Sequence, residues 1–237
     1  MPAPHRKGHV MTFPILFAGY LVLVVVALAI MLQRFLAMRQ LPVAVAILAG
    51  WLGYASILGA TGIVGRYDQV PPGLVIMVVP IVATLLALGL STPGGILATR
   101  IPLALLLGFQ VFRVGVELSL HRLWSLGLAP RLITLEGGNV EILIAVTAPI
   151  AAWLVTRGPT ARRLAWVWNL AGLLSLGNVV VRAVLSAPGP LNLIHAEVAD
   201  MAILTWPFTL VPGFMAPLAM MLHIVAFRAF HAGARRA

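Results

Sequence analysis

Gln110, Arg113, Glu117 and His121 are the residues whose types and spacing could do chemistry together. At about 100° per residue they fall within about 80° of one another on a helix, and Val, Phe, Gly and Leu fill the rest of that surface. A guanidinium offers a planar fork to a carboxylate or phosphate, and a carboxylate one turn from an imidazole can share a proton or a metal ion. A charged side chain at membrane depth costs about 2.5–3.5 kcal/mol on insertion scales, so it persists where something pairs or uses it. Ser175, Asn178, Arg182 and Ser186 repeat the spacing in a later apolar run. Two stripes of this kind predict a shared polar pocket lined by Gln110, Arg113, Glu117, His121, Asn178 and Arg182, with Glu136, Asn139 and Glu141 over its mouth. Two Arg against one Glu in the inner set favour a small anionic ligand. The purely structural reading has Glu117 neutralising Arg113 or Arg182, with the amides tying helices together at about 0.6 kcal/mol per hydrogen bond.

Other chemistries fit less well. Glu117 and His121 could begin a metal site, with His195, Glu197 or Asp200 to complete it, and this defines the alternative of a membrane-embedded enzyme. Glu-x-x-x-His is not the His-Glu-x-x-His signature, however, and the remaining ligands lie in a loop. A haem held by His121 and His223 is excluded by their expected positions at opposite ends of the bundle. Retinal needs a lysine within the bundle, and Lys7 is the only lysine. There is no cysteine, no Gly-rich phosphate loop after a strand pattern and no Gly-x-Ser-x-Gly elbow, so the sequence assigns no cofactor. A third alternative is a non-catalytic assembly subunit whose stripes hold helices or partners in register.

The elements that must carry these residues are membrane helices. The 237-residue chain is 61% hydrophobic and 9% charged, against roughly 25% charged in an ordinary globular domain. Its formal charge of +10 comes mostly from Arg flanking apolar runs, which suits a lipid bilayer as partner and argues against nucleic acid. The expected fold is all-α: a single polytopic domain of seven transmembrane helices over residues 13–32, 41–64, 73–90, 96–120, 140–155, 164–185 and 208–227. The first run exceeds the roughly 7–15 residues of a signal-peptide core, so it is read as a retained helix. With seven spans, Arg6, Lys7, Arg66, Arg122 and Arg131 lie on the N-terminal side. Nine Arg (34, 39, 100, 157, 162, 163, 228, 235 and 236) lie on the other, which puts the N-terminus outside and the C-terminus in the cytoplasm. All six acidic residues then fall in the outer half, where the pocket is expected to open.

Phe112-Arg113-Val-Gly-Val-Glu117-Leu, Thr134-Leu-Glu136-Gly-Gly-Asn139-Val-Glu141-Ile-Leu, Trp168-Asn169 and Asn178-Val-Val together resemble a group of bacterial multi-pass membrane proteins without assigned activity. The resemblance implies a bacterial inner-membrane location and brings no reaction with it. The function expected from the residues is therefore binding, sensing or transport of a small molecule.

Overall fold

The computed structural model describes residues 5–189, 192–196 and 202–234. All of its regular structure is helical: α1 (His5–Phe35), α2 (Leu41–Ala60), α3 (Gly73–Leu90), α4 (Thr92–Arg100), α5 (Leu103–Gly108), α6 (Arg113–Ser125), α7 (Glu141–Leu154), α8 (Pro159–Ser186) and α9 (Ala216–Ala234). A 3₁₀ turn at Phe109–Phe112 joins α5 to α6, and a π-helical turn at Val211–Met215 leads into α9.

Among the described residues, six helical stretches are long and apolar enough to cross a membrane: Thr12–Phe35, α2, α3, Leu103–Ser125, α8 and Val211–Ala232. α7 has 14 residues, about 21 Å of helix, and falls short of that length. The last stretch is the centre of the bundle. Of its most apolar window 72% is buried, against 11% for α2 and 22% for α8, and α9 packs on α3, α4, α5 and α8. A helix that is apolar all round belongs inside a bundle, so any polar residue it carries must find a protein partner.

The fourth expected helix differs from the one observed. The apolar run over 96–120 is interrupted at Ile101–Pro102, where Ile101 is extended (φ −83°, ψ 126°). Proline lacks the N–H for the helical ladder and disfavours the helical conformation of the residue before it. The crossing therefore begins at Leu103 and runs to Ser125, which places Arg113 and Glu117 near its middle.

Helix interruptions inside the bundle are met by aromatic donors from α1 and α2. Pro80 cannot donate to the carbonyl of Ile76, and the Tyr54 hydroxyl donates to it instead. Pro217 cannot donate to Gly213 in α-helical register, and Trp51 Nε1 does so at 2.7 Å. The Tyr20 hydroxyl donates to the carbonyl of Phe112, the last residue of the 3₁₀ turn. Gly115 gives the Tyr20 ring its space, since a Cβ there would overlap the ring. Neighbouring helices that satisfy freed backbone groups are what allow proline in membrane helices at all.

Candidate functional site

The site is assembled where α6, α7, α8 and α9 meet. Arg113 stands at the start of α6, only 3% exposed, and forms an ion pair with Glu141, the first residue of α7, which is 1% exposed. An acidic residue in the first turn also suits the positive end of its helix. The second face of the guanidinium meets α9: Nη1 lies 3.3 Å from His223 Nε2. Asn169 of α8 fixes that imidazole, accepting from Nδ1 at 2.8 Å and donating through Nδ2 to the His223 carbonyl at 3.1 Å. This pattern fits the tautomer protonated on Nδ1, with the Nε2 lone pair turned to Arg113. Gly172 makes room for the ring, because a Cβ there would stand 2.6 Å from His223 Cε1.

Asn139 joins the network to the α6–α7 connection. It is fully buried, and its Nδ2 donates at 2.8 Å both to Glu117 Oε2 and to the carbonyl of Ile133. Its Oδ1 accepts from the Glu141 backbone N–H at 3.0 Å, which sets the start of α7. The chain can turn Asn139 inward because Gly138 adopts φ +87°, a left-handed conformation that favours glycine. Arg182 Nη2 holds the same turn by donating to the Gly137 carbonyl at 2.6 Å.

Beside this network lies a cavity of about 140 Å³. Its walls are apolar side chains of α3, α6, α8 and α9, among them Val78, Leu120, Val180, Ala183 and Met220. The charged residues lining it are Arg113, Glu117 and Glu141. Glu141 Oε1 is buried without a hydrogen-bond partner among the described residues, as is Gln110 Oε1.

Three members of the expected pocket therefore converge at the cavity: Arg113, Glu117 and Glu141. Glu141 sits in its floor rather than over its mouth. Asn139 adjoins the cavity as the partner of Glu117. Gln110 is buried but turns to α9, its Nε2 donating to the Ala219 carbonyl at 2.9 Å. His121 and Glu136 pair with each other at 2.9 Å on the exposed rim, one to two turns beyond Glu117. The Glu136 carboxyl is held below its ordinary range, first by a hydrogen bond from its own backbone N–H and then by Thr134 and His121. Asn178 is exposed on the outer surface of α8 and does not face the cavity.

Two expected interactions also differ. Arg113 pairs directly with Glu141 while also feeling the charge of Glu117, and Arg182 bonds a backbone carbonyl rather than Glu117. An anionic ligand was expected from two Arg against one Glu; Arg113 meets Glu141 and His223, and Arg182 meets the Gly137 carbonyl. For the metal alternative, no group of three His, Cys, Asp or Glu comes together among the described residues. His195 is exposed, and Glu197 and Asp200 lie outside the described residues.

His223 and Asn169 are the functional candidates that the stripes did not reveal. His223 was expected as a packing residue near the end of its helix, and Asn169 was noticed only within the resemblance. The available signal was His223 standing alone in an apolar run that is apolar on every side.

No curated protein and no solved structure matches the chain. One family model does match, over residues 71–231, which leaves α1 and α2 outside the matched stretch and takes in every residue of the network. That match covers more than half of the chain, which thus belongs to the family defined by this domain of unknown function, DUF8737.

Proposed function

We propose that this protein is a seven-pass protein of the bacterial inner membrane that holds a small molecule in the cavity beside Arg113, Glu117 and Glu141, in order to sense or move it. The observation that carries the reading is the placement of two carboxylates and a guanidinium in the floor of an otherwise apolar cavity. Structural cross-links between membrane helices need no such void, and charges at this depth mark ligand and ion pathways by default.

α7 is the seventh crossing in this reading. It packs along α5, the 3₁₀ turn and α6, and the buried residues Ile133, Thr134 and Asn139 extend its path into the bundle. The excess of Arg on the C-terminal side supports an external N-terminus, with the 126–140 connection and the cavity in the outer half. A reporter that fluoresces only in the cytoplasm, fused after Ala237, is expected to be bright; a dark but expressed fusion reverses the orientation.

Binding is tested by native mass spectrometry of protein extracted in mild detergent. Wild type is expected to retain a small molecule that Ala183→Trp, which fills the cavity, does not. Equal retention by both proteins, or none by wild type, overturns the cavity as a binding site.

A further inference from the structure

The floor of the cavity says which chemistry its occupant must bring. We infer that the ligand is a small apolar molecule with a hydrogen-bond-donating head, a primary amine before an alcohol. This rests on the cavity reading above and specifies its substrate class.

Three observations support it. The first is the balance of donors and acceptors. The Arg113 donors facing the network are directed to Glu141 and His223, and the Asn139 amide hydrogens go to Glu117 and Ile133. Arg113 Nη2 and Glu141 Oε2 meet each other in the ion pair. The atoms of the network left without a partner among the described residues are oxygens: Gln110 Oε1 and Glu141 Oε1, the latter on a residue 99% buried and lining the cavity. A buried acceptor without a donor is costly, and only a donor can relieve it. The second is charge. Two carboxyl groups and one guanidinium line the cavity, and His223 fits as a neutral acceptor, so acid groups outnumber cations there by one. An ammonium head cancels that surplus, whereas a carboxylate or phosphate would double it. The third is size and wall. An engineered apolar cavity of about 150 Å³ takes up benzene, and the one here is about 140 Å³ with aliphatic walls. It suits a ring or a chain of similar bulk and has no second polar end to receive a doubly polar solute.

Four probes with one ring and different heads test this on the full-length protein in detergent: benzylamine, benzyl alcohol, toluene and benzoate, followed by ligand-detected NMR. The expected order is benzylamine, benzyl alcohol, toluene, benzoate, with the Kd of benzylamine at least tenfold below that of toluene. In the triple variant R113Q/E117Q/E141Q, which removes every charge lining the cavity, benzylamine is expected to lose that advantage while toluene binding persists. Ala183→Trp is expected to abolish binding of all four.

Equal binding of the four probes, or benzoate in first place, overturns the donor head while leaving an occupied cavity. A benzylamine preference that survives in the triple variant also overturns it. Failure of every probe, toluene included, removes the cavity reading itself.

Discussion

Two regions in which polar groups cross between helices differ in what is left over. In the first, Tyr20, Tyr54 and Trp51 reach from α1 and α2 to backbone carbonyls at helix interruptions. Each donor meets one acceptor, and at Pro80 and Pro217 the need for a donor follows from the proline alone. In the second, Arg113, Glu117, Asn139, Glu141, Asn169 and His223 bind one another around a cavity and leave a carboxylate oxygen unmet. Structure accounts fully for the first set. It does not account for the second, where charge and acceptor capacity exceed what tying four helices together requires. That surplus, rather than polarity as such, makes the second region the candidate site. The family match separates the regions too, since it takes in the network and leaves α1 and α2 outside.

The comparison is broken most directly at the ion pair. Glu141→Ala leaves the Arg113 cation buried without its carboxylate, and losing one partner of a buried pair costs about 3–5 kcal/mol. Replacing both charges, as in R113Q/E141Q, is expected to recover most of that loss. Reversible unfolding in mixed micelles measures both. A Glu141→Ala protein as stable as wild type would place Arg113 with the merely structural groups.

The next effect is at the two residues that position the pair. Asn139→Ala removes bonds to Glu117, Ile133 and the Glu141 backbone, and stranding one such buried group costs about 1–3 kcal/mol. Amide exchange should rise across 131–140 in step with the lost stability. Gly172→Ala drives a methyl group against the His223 ring, an overpacking of about 1–3 kcal/mol. Its imidazole resonances are expected to shift, whereas Gly177→Ala, on the same helix with open space at its Cβ, leaves them unchanged.

How much of this was legible in the sequence depends on the residue. The stripe on α6 was readable because Gln110, Arg113 and Glu117 interrupt an apolar run at helical spacing, and all three are buried. Their partners were not readable, because pairing depends on how α7 is rotated. That rotation is set by Asn139 and the left-handed Gly138, neither of which has a periodicity. On α8 two stripes compete. Ser175, Asn178, Arg182 and Ser186 look more polar, but of these only Ser186 is buried, and Ala165, Asn169, Gly172 and Leu176 make up the rest of the buried set. Small residues that admit a neighbouring helix decided between them, and they leave little mark in a helix that is apolar nearly throughout. The break at Pro102 was available from the proline itself, and the strength of the surrounding apolar run obscured it.

In the aromatic set the expected losses are smaller. Trp51→Phe leaves the Gly213 carbonyl without its donor and is expected to cost about 0.5–1.5 kcal/mol, with Tyr54→Phe at or below the low end because that site is exposed. The two losses should add, since each donor serves a different carbonyl. Neither change is expected to alter probe binding in the cavity. A change in the benzylamine–toluene ratio on losing Trp51 would join the two regions into one device and dissolve the contrast drawn between them.

The smallest effect belongs to the rim, where His121 and Glu136 pair in the open. Hydrogen bonds from its own backbone N–H and Thr134, with His121 beside it, depress the Glu136 carboxyl, so the folded protein holds its proton less tightly than the unfolded chain. Stability from this group is then complete above the ordinary carboxylate range. It fades as pH falls through that range towards the depressed value. Solvent screens an exposed pair, so the overall unfolding midpoint should barely move, and salt should erase what movement there is. The carboxyl ¹³C resonance of Glu136 is the sensitive readout, and its titration midpoint is expected below that of an exposed glutamate in a peptide. His121→Ala should raise the midpoint only in part, because the backbone bond is the larger cause and remains. A midpoint at the ordinary value in wild type would show that the 134–136 turn does not hold the carboxyl in solution. The rim would then be a solvated edge rather than an extension of the buried network.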